Sequence, residues 1–175
     1  FASNGILFNH ESPRRGENFI SRKVIIGIIK ILKGHQKCLY LGNLKSKRDW
    51  GHAKEFVDAQ WKILQYKTPD DFVIATGKNY SVKDLVNLVL KKLKIKYLWK
   101  KDKKGYEYAL AQNDIGQIKK SQIIIKQEKI YFRPNEVHNL VGDYRKATKL
   151  LKWKPKIKFD RLISEMIDSD LKNII

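Results

Sequence analysis

The sequence predicts an α/β fold, and three observations carry that expectation. Short apolar runs bounded by Gly, Asn or Pro alternate with longer segments whose apolar residues recur at helical spacing. Polar clusters follow the ends of apolar runs, which is where open α/β sheets keep their ligands. A content of 42% hydrophobic and 11% aromatic residues supplies a core that a disordered chain of this length would lack.

In chain order, residues 3–8 read as a buried strand. The turn after it, Asn9-His10-Glu11-Ser12-Pro13-Arg14-Arg15-Gly16-Glu17-Asn18, is stiffened by Pro13 and bent at Gly16. Asn18 is placed to cap a helix running to about Leu32, and Gly34 with His35 ends it. A strand is expected over Lys37–Leu41, then a second polar cluster from Lys45 to His52. Ala53–Tyr66 reads as a helix with Phe56, Val57, Gln60, Trp61 and Leu64 on one apolar face. Pro69-Asp70-Asp71 breaks it, and Phe72-Val73-Ile74-Ala75 is a compact strand ending at Thr76-Gly77. Ser81 with Asp84 forms a capping box for a helix whose inner face is Leu85, Leu88, Val89 and Leu93.

A strand at Ile95–Trp99 follows. From Lys100 to Lys129 the periodicity fades, with a turn expected at Gly105–Tyr108 and only Ile123-Ile124-Ile125 strand-like, so the segment reads as a long loop or insertion. Order returns at Ile130–Val137. Asp143 is placed to cap a short helix through Leu151, which ends at Trp153-Lys154-Pro155. The last helix, about Phe159 to Leu171, uses Leu162, Ile163, Met166 and Ile167 as its core face. No internal repeat or flexible linker interrupts the pattern.

The net charge of +19, from 37 Lys plus Arg against 18 Asp plus Glu, directs attention to polyanions. The excess is mostly Lys spread along the chain, whereas Arg14, Arg15, Arg22, Arg48 and Arg133 fall in or beside three polar clusters. Guanidinium forks match phosphate oxygens, so arginines gathered from distant parts of a chain suit a pyrophosphate. Against this stands pairing of each Arg with a local acid, Arg48 with Asp49 or Arg133 with Glu136.

Lone Cys38 gives no disulfide framework, and a reducing, cytoplasmic setting is the default. The densest apolar run, Val24–Ile29, is too short to span a bilayer, so no membrane is expected. The four His and single Cys have no metal-ligand spacing. There is no glycine-rich phosphate-cradling turn, no Tyr with a Lys four residues on in a strand-adjacent helix, and no nucleophile elbow. Phe stands at position 1 and the one Met is Met166, which leads us to expect the carboxyl-terminal part of a longer protein.

The clusters in this order resemble the GDP-mannose 4,6-dehydratases of the extended short-chain dehydrogenase/reductase superfamily. The resemblance rests on Asn4-Gly5-Ile6-Leu7-Phe8-Asn9-His10-Glu11-Ser12-Pro13-Arg14-Arg15-Gly16, on Leu41-Gly42-Asn43-Leu44, and on Lys47-Arg48-Asp49-Trp50-Gly51-His52-Ala53-Lys54. It continues through Asp71–Gly77, Tyr131-Phe132-Arg133-Pro134-Asn135-Glu136-Val137, Gly142-Asp143 and Trp153-Lys154-Pro155, leaving out only about Lys100–Lys129. It implies the last strands of a Rossmann-type sheet plus a small α/β substrate-binding domain. Residues 1–17 and about 47–77 would contribute to the Rossmann part, within one unit spanning 1–175.

The implied reaction uses bound NADP to oxidise the sugar of GDP-mannose at C4, eliminate water across C5 and C6, and return the hydride to C6. The product, GDP-4-dehydro-6-deoxy-mannose, would lead toward GDP-fucose. By the same resemblance His10 and Arg15 would touch NADP. Asn9, Asn18, Lys23, Arg48, Arg133 and Glu136 would hold the GDP part of the substrate, with the three stretches converging on one arginine-lined pocket. The family's catalytic Tyr, Lys, Thr and Glu fall upstream of Phe1, so this chain alone would be inactive and no catalytic residue is expected in it. The full-length protein would form a dimer or tetramer. The alternative is a basic nucleic-acid-binding domain, for which no helix-turn-helix, RRM or KH signature is present.

Overall fold

The computed structural model describes residues 1–174. β1 (Gly5–Leu7) enters the molecule, and β2 (Asn9–Glu11) continues it after one residue. α1 (Ile20–Leu32) is apolar almost all round, with Val24, Ile25, Ile28, Ile29 and Ile31 fully buried. Its N-cap is Phe19 rather than Asn18, and no side chain caps it. The Phe19 carbonyl instead accepts from Lys23 N (2.8 Å), which leaves the Asn18 side chain exposed. Gly34, at φ 86°, lets the chain turn out of the helix.

β3 (Leu39–Leu41), β4 (Lys47–Arg48) and β5 (Trp50–His52) lead into α2 (Ala53–Leu64). His52 Nδ1 accepts from Lys54 N at 3.1 Å and caps that helix, so Nε2 carries the proton it donates to Glu165 at 3.2 Å. β6 (Phe72–Ile74) and β7 (Tyr80–Ser81) precede α3 (Val82–Lys92), whose Ser81/Asp84 capping box is present as expected.

The stretch expected as a long loop or insertion holds one strand that was not expected, Glu107–Ala111, beside the strand-like Ile123–Ile125. β8 (Tyr97–Lys101), β9 (Glu107–Ala111) and β10 (Ile123–Gln127) form an antiparallel meander. Gly105 turns β8 into β9 at φ 84°. β10 then pairs parallel with β3, giving the order β3-β10-β9-β8. The charged Glu107 at its start and the polar residues around it hide β9 from a hydrophobic pattern. Gln127, for one, is buried with its side chain bonded to Glu107 N and the Gly42 carbonyl. α4 (Arg145–Leu151) starts after Tyr144 as N-cap, with the Asp143 carboxylate accepting from Arg145 N (2.9 Å). α5 (Phe159–Asn173) closes the described chain.

Two cores result. α1, α3 and α5 bury their apolar faces on one another and on β3, β9 and β10, with Leu85, Val89, Leu162, Ile163, Met166 and Ile167 inside. The second core is smaller. The parallel pair β1–β6 lies against α2 and α4 through Phe56, Ala59, Ile63, Phe72, Ile74 and Trp153. The expected apolar face of α2 is thereby split. Phe56 is buried, while Val57, Gln60, Trp61 and Leu64 are exposed and Ala59 with Ile63 take their place inside. Among the described residues no helix is long and apolar enough to cross a membrane.

Candidate functional site

Pairing of short strands draws the three polar stretches together. β2 runs parallel to β5, with Asn9 opposite Trp50 and His10 opposite Gly51, so the first and second stretches are neighbours. Lys47 N donates to the His138 carbonyl (2.8 Å) and Leu140 N to the Lys47 carbonyl (3.2 Å), which ties the second stretch to the third. Gly42 allows the third to approach. A Cβ there would sit 2.1 Å from the Tyr131 carbonyl oxygen, so any side chain would push the 131–137 segment away.

Arg48 spans the junction. Nη1 donates to the carbonyls of Val137 (2.6 Å) and Lys47 (2.8 Å), and Nη2 lies 3.4 Å from Glu136 Oε1. The local pairing of Arg48 with Asp49 and of Arg133 with Glu136 is therefore not what forms. Arg48 takes Glu136 from across the chain, and Arg133 stays exposed beside the junction.

Lys23 reaches from α1 over the ring of Tyr131, 4.8 Å from its centroid. With Glu17, Asn18, Lys30 and Tyr40 these two line a cavity of about 260 Å³ between the first stretch and the third. Two ammonium groups, a carboxylate, the amides of Asn18 and Gln36 and two phenol rings suit a polar, flat, anionic guest.

His10 stacks on Phe56 (centroids 5.2 Å apart), and its Nδ1 donates to the Phe8 carbonyl at 2.9 Å. That bond leaves Nε2 as an acceptor. Arg15 lies over the Phe19 ring, 3.5 Å from its centroid, with Nε 3.3 Å from Glu11 Oε2. Its Nε is buried without a hydrogen-bond partner. Neither Arg15, Arg48 nor Arg133 lines the cavity of Lys23 and Asn18. The stretches meet, with Arg15 held by Glu11 and Arg48 by Glu136.

Two carboxylates that sequence reasoning left out organise the surroundings. Asp49 is fully buried and accepts from Thr76 N (2.8 Å), Thr76 Oγ1 (2.6 Å), Gly77 N (2.9 Å) and Gly142 N (3.2 Å). It pins the end of β6 and the 142 segment behind Arg48. Glu11 is buried between Ser21, which donates to it, and Arg15. Burial raises its pKa above the ordinary 4.5, while the Ser21 hydroxyl and the charges of Arg15 and His10 oppose the rise. The spacing of an acid beside a charged motif was visible for both, but their partners were not.

Comparison with known proteins places the geometry in context. The family described as GDP-mannose 4,6 dehydratase matches residues 1–166. GDP-mannose 4,6 dehydratase 2 of Caenorhabditis elegans is 46% identical over 171 residues, which is 98% of this chain and 43% of that protein. GDP-mannose 4,6-dehydratase of Vibrio cholerae is 44% identical over 175 residues, 98% of this chain and 47% of that one. The human enzyme is 43% identical over 173 residues, 98% and 44% respectively. The chain thus spans under half the length of these relatives.

Among solved structures, RMD from Pseudomonas aeruginosa complexed with NADPH superposes with a TM-score of 0.73 at 16% identity, covering 97% of this chain and 48% of that one. The dTDP-glucose 4,6-dehydratase of Bacillus anthracis in complex with NAD gives 0.68 at 16% identity, covering 97% and 44%. Both share the α/β fold of this chain, which covers under half of each. Nothing in these comparisons supports a nucleic-acid-binding domain.

Proposed function

Because the chain belongs to the GDP-mannose 4,6-dehydratase family, we propose that it is the nucleotide-sugar-binding half of such a lyase. The observation that carries the reading is Arg48 bonded to Glu136 and Val137 across the chain, in the same third stretch that supplies Tyr131 to a cavity lined by Lys23 and Asn18. Asn18 and Lys23 meet the guanine or ribose, and the Tyr131 ring offers a stacking face. Arg48 and Arg133 meet the diphosphate, with Glu136 turning from its ion pair toward ribose hydroxyls. Each charge-assisted hydrogen bond so formed contributes about 1.5–3 kcal/mol. Asn9, at the end of the first strand, completes the substrate side.

The residues also fit the edge of a dinucleotide. Arg15, ion-paired with Glu11, and His10, whose Nδ1 bonds the Phe8 carbonyl, both follow the first strand. We assign them to NADP, whose nicotinamide supplies the hydride transfers of the parent reaction. The relatives' dehydratase activity on GDP-mannose extends to this chain only together with an upstream half, since the catalytic Tyr, Lys, Thr and Glu implied by the resemblance fall outside these 175 residues. In that complete form we expect a cytoplasmic homo-oligomer.

The test joins this chain to the upstream half of the Vibrio cholerae relative and titrates GDP-mannose. Arg48→Ala or Arg133→Ala is expected to weaken binding tenfold or more, about 1.4 kcal/mol per decade. If affinity survives both substitutions, the clamp is wrong.

A further inference from the structure

We infer that the groove beside α3, from the end of β6 to the start of β8, receives an acidic segment of another protein, anchored by apolar side chains. This goes beyond the binding of a nucleotide sugar, and the groove shares no lining residue with the cavity of Lys23 and Asn18. Two cavities make the groove. One, of about 640 Å³, reaches from Thr76 and Lys78 to Asp84 and Leu88. The other, of about 460 Å³, reaches from Asn87 and Leu88 to Lys91 and Tyr97. Leu88 belongs to both, and Asp84, Leu88 and Lys91 follow one another at helical spacing on one face of α3. The two cavities therefore run together along that face.

The floor of the groove is apolar. Leu88, Ile95, Pro155 and Ile157 line it, with the stacked rings of Tyr80 and Phe159, whose centroids are 4.2 Å apart. All six are buried or half-buried. The rim is cationic and exposed, with Lys78, Lys156 and Lys158 on the first cavity and Lys91, Lys94 and Lys96 on the second. Among the described residues none of these lysines forms an ion pair.

The acids in the groove are already engaged. Asp84 accepts from Ser81 N (2.8 Å) and Ser81 Oγ (2.7 Å) in the capping box, and Asp160 accepts from Lys92 Nζ (2.7 Å). Asn87 Oδ1 accepts from Trp99 Nε1 (2.9 Å), which leaves the amide of Asn87 as a donor. Unneutralised cations around an apolar floor are complementary to carboxylates that flank apolar side chains. A helix of 11 residues is about 16 Å long, room for about five residues of extended chain. Lysines on a sheet edge commonly serve to discourage strand pairing. None of these six is a strand residue, so that role does not account for them.

The experiment uses this chain joined to the upstream half of the Vibrio cholerae relative. It follows the fluorescence anisotropy of a labelled peptide in which Phe and Leu alternate with Glu. Binding is expected at physiological salt, at least tenfold weaker for a peptide with Ser in place of Phe and Leu, and absent for one with Lys in place of Glu. Hydrogen exchange should slow over residues 84–97 and 155–160. Lys91→Glu combined with Lys158→Glu should weaken binding at least tenfold. Lys119→Glu combined with Lys120→Glu, at exposed lysines outside the groove, should weaken it less than about twofold.

No binding, equal losses from both pairs of substitutions, or protection confined to another face would each overturn the proposal. So would tighter binding of poly(U) RNA or of phosphatidylserine vesicles than of the peptide, since the occupant would then be of another class. Should a substituted chain unfold, protection by the peptide in the unsubstituted protein decides. Peptide binding in a protein that ignores GDP-mannose would sink the dehydratase reading and leave the groove standing.

Discussion

The region built on α1, α3, α5 and the four-stranded sheet differs from the region built on β1, β6, α2 and α4 in how far each is closed. In the first, helices and sheet cover one another and the large apolar side chains point inward. In the second, one helix layer covers one face of a two-stranded parallel pair, and a tryptophan is left at the surface. The first can hold itself together by the burial it already has. The second has the apolar surface of a larger sheet without the neighbours. The residues we propose to face the substrate come from stretches that both regions contribute.

The largest expected effect is at Asp49. Asp49→Ala would orphan the N–H groups of Thr76, Gly77 and Gly142. At about 1–3 kcal/mol for each unsatisfied buried donor, the loss should exceed about 3 kcal/mol in urea unfolding. A smaller loss would mean that water replaces the carboxylate and that the two regions are joined elsewhere.

Next comes the contrast itself. Leu85→Ala, deep between α1, α3 and α5, should destabilise by about 2–5 kcal/mol. Leu64→Ala on α2 should stay within about 0.5 kcal/mol in the chain by itself. Equal effects would erase the distinction between a closed and an open region.

A smaller effect is expected from Ser81→Ala, which removes half of the capping box and should cost about 0.5–2 kcal/mol. It should slow nothing in α2, so hydrogen exchange ought to quicken in α3 alone.

The smallest concerns Glu11. Because its folded pKa lies above the ordinary 4.5, the native state holds more protons than the unfolded chain from that pH up to the raised value. Its contribution to stability therefore falls as pH climbs through that window. Glu11→Gln should flatten the pH dependence of the melting temperature just above pH 4.5. An unchanged slope would mean that Ser21 and Arg15 already compensate the burial.

Much of this was legible in the letters. The Ser81/Asp84 box and the Leu162, Ile163, Met166 and Ile167 face of α5 are local patterns, and they formed as read. Ile123–Ile125 was read as strand-like and lies in β10, but β9 was not legible, because its cohesion comes from pairing with β8 and β10 rather than from its own periodicity. The face of α2 was misread for a related reason. Period alone cannot tell a stripe that packs inside this chain from one left exposed, and Val57, Trp61 and Leu64 satisfy the rule equally well.

The sequence by itself determined the alternation of elements, the caps, the long motifs that mark the family and the residue types at the site. Those depend on groups a few positions apart. Tertiary structure alone decided that Arg48 takes Glu136, that Arg15 lies against Glu11, and that Asp49 gathers donors 27 and 93 residues away. A charged side chain buried on folding needs compensation, and which partner provides it depends on which strands have come together.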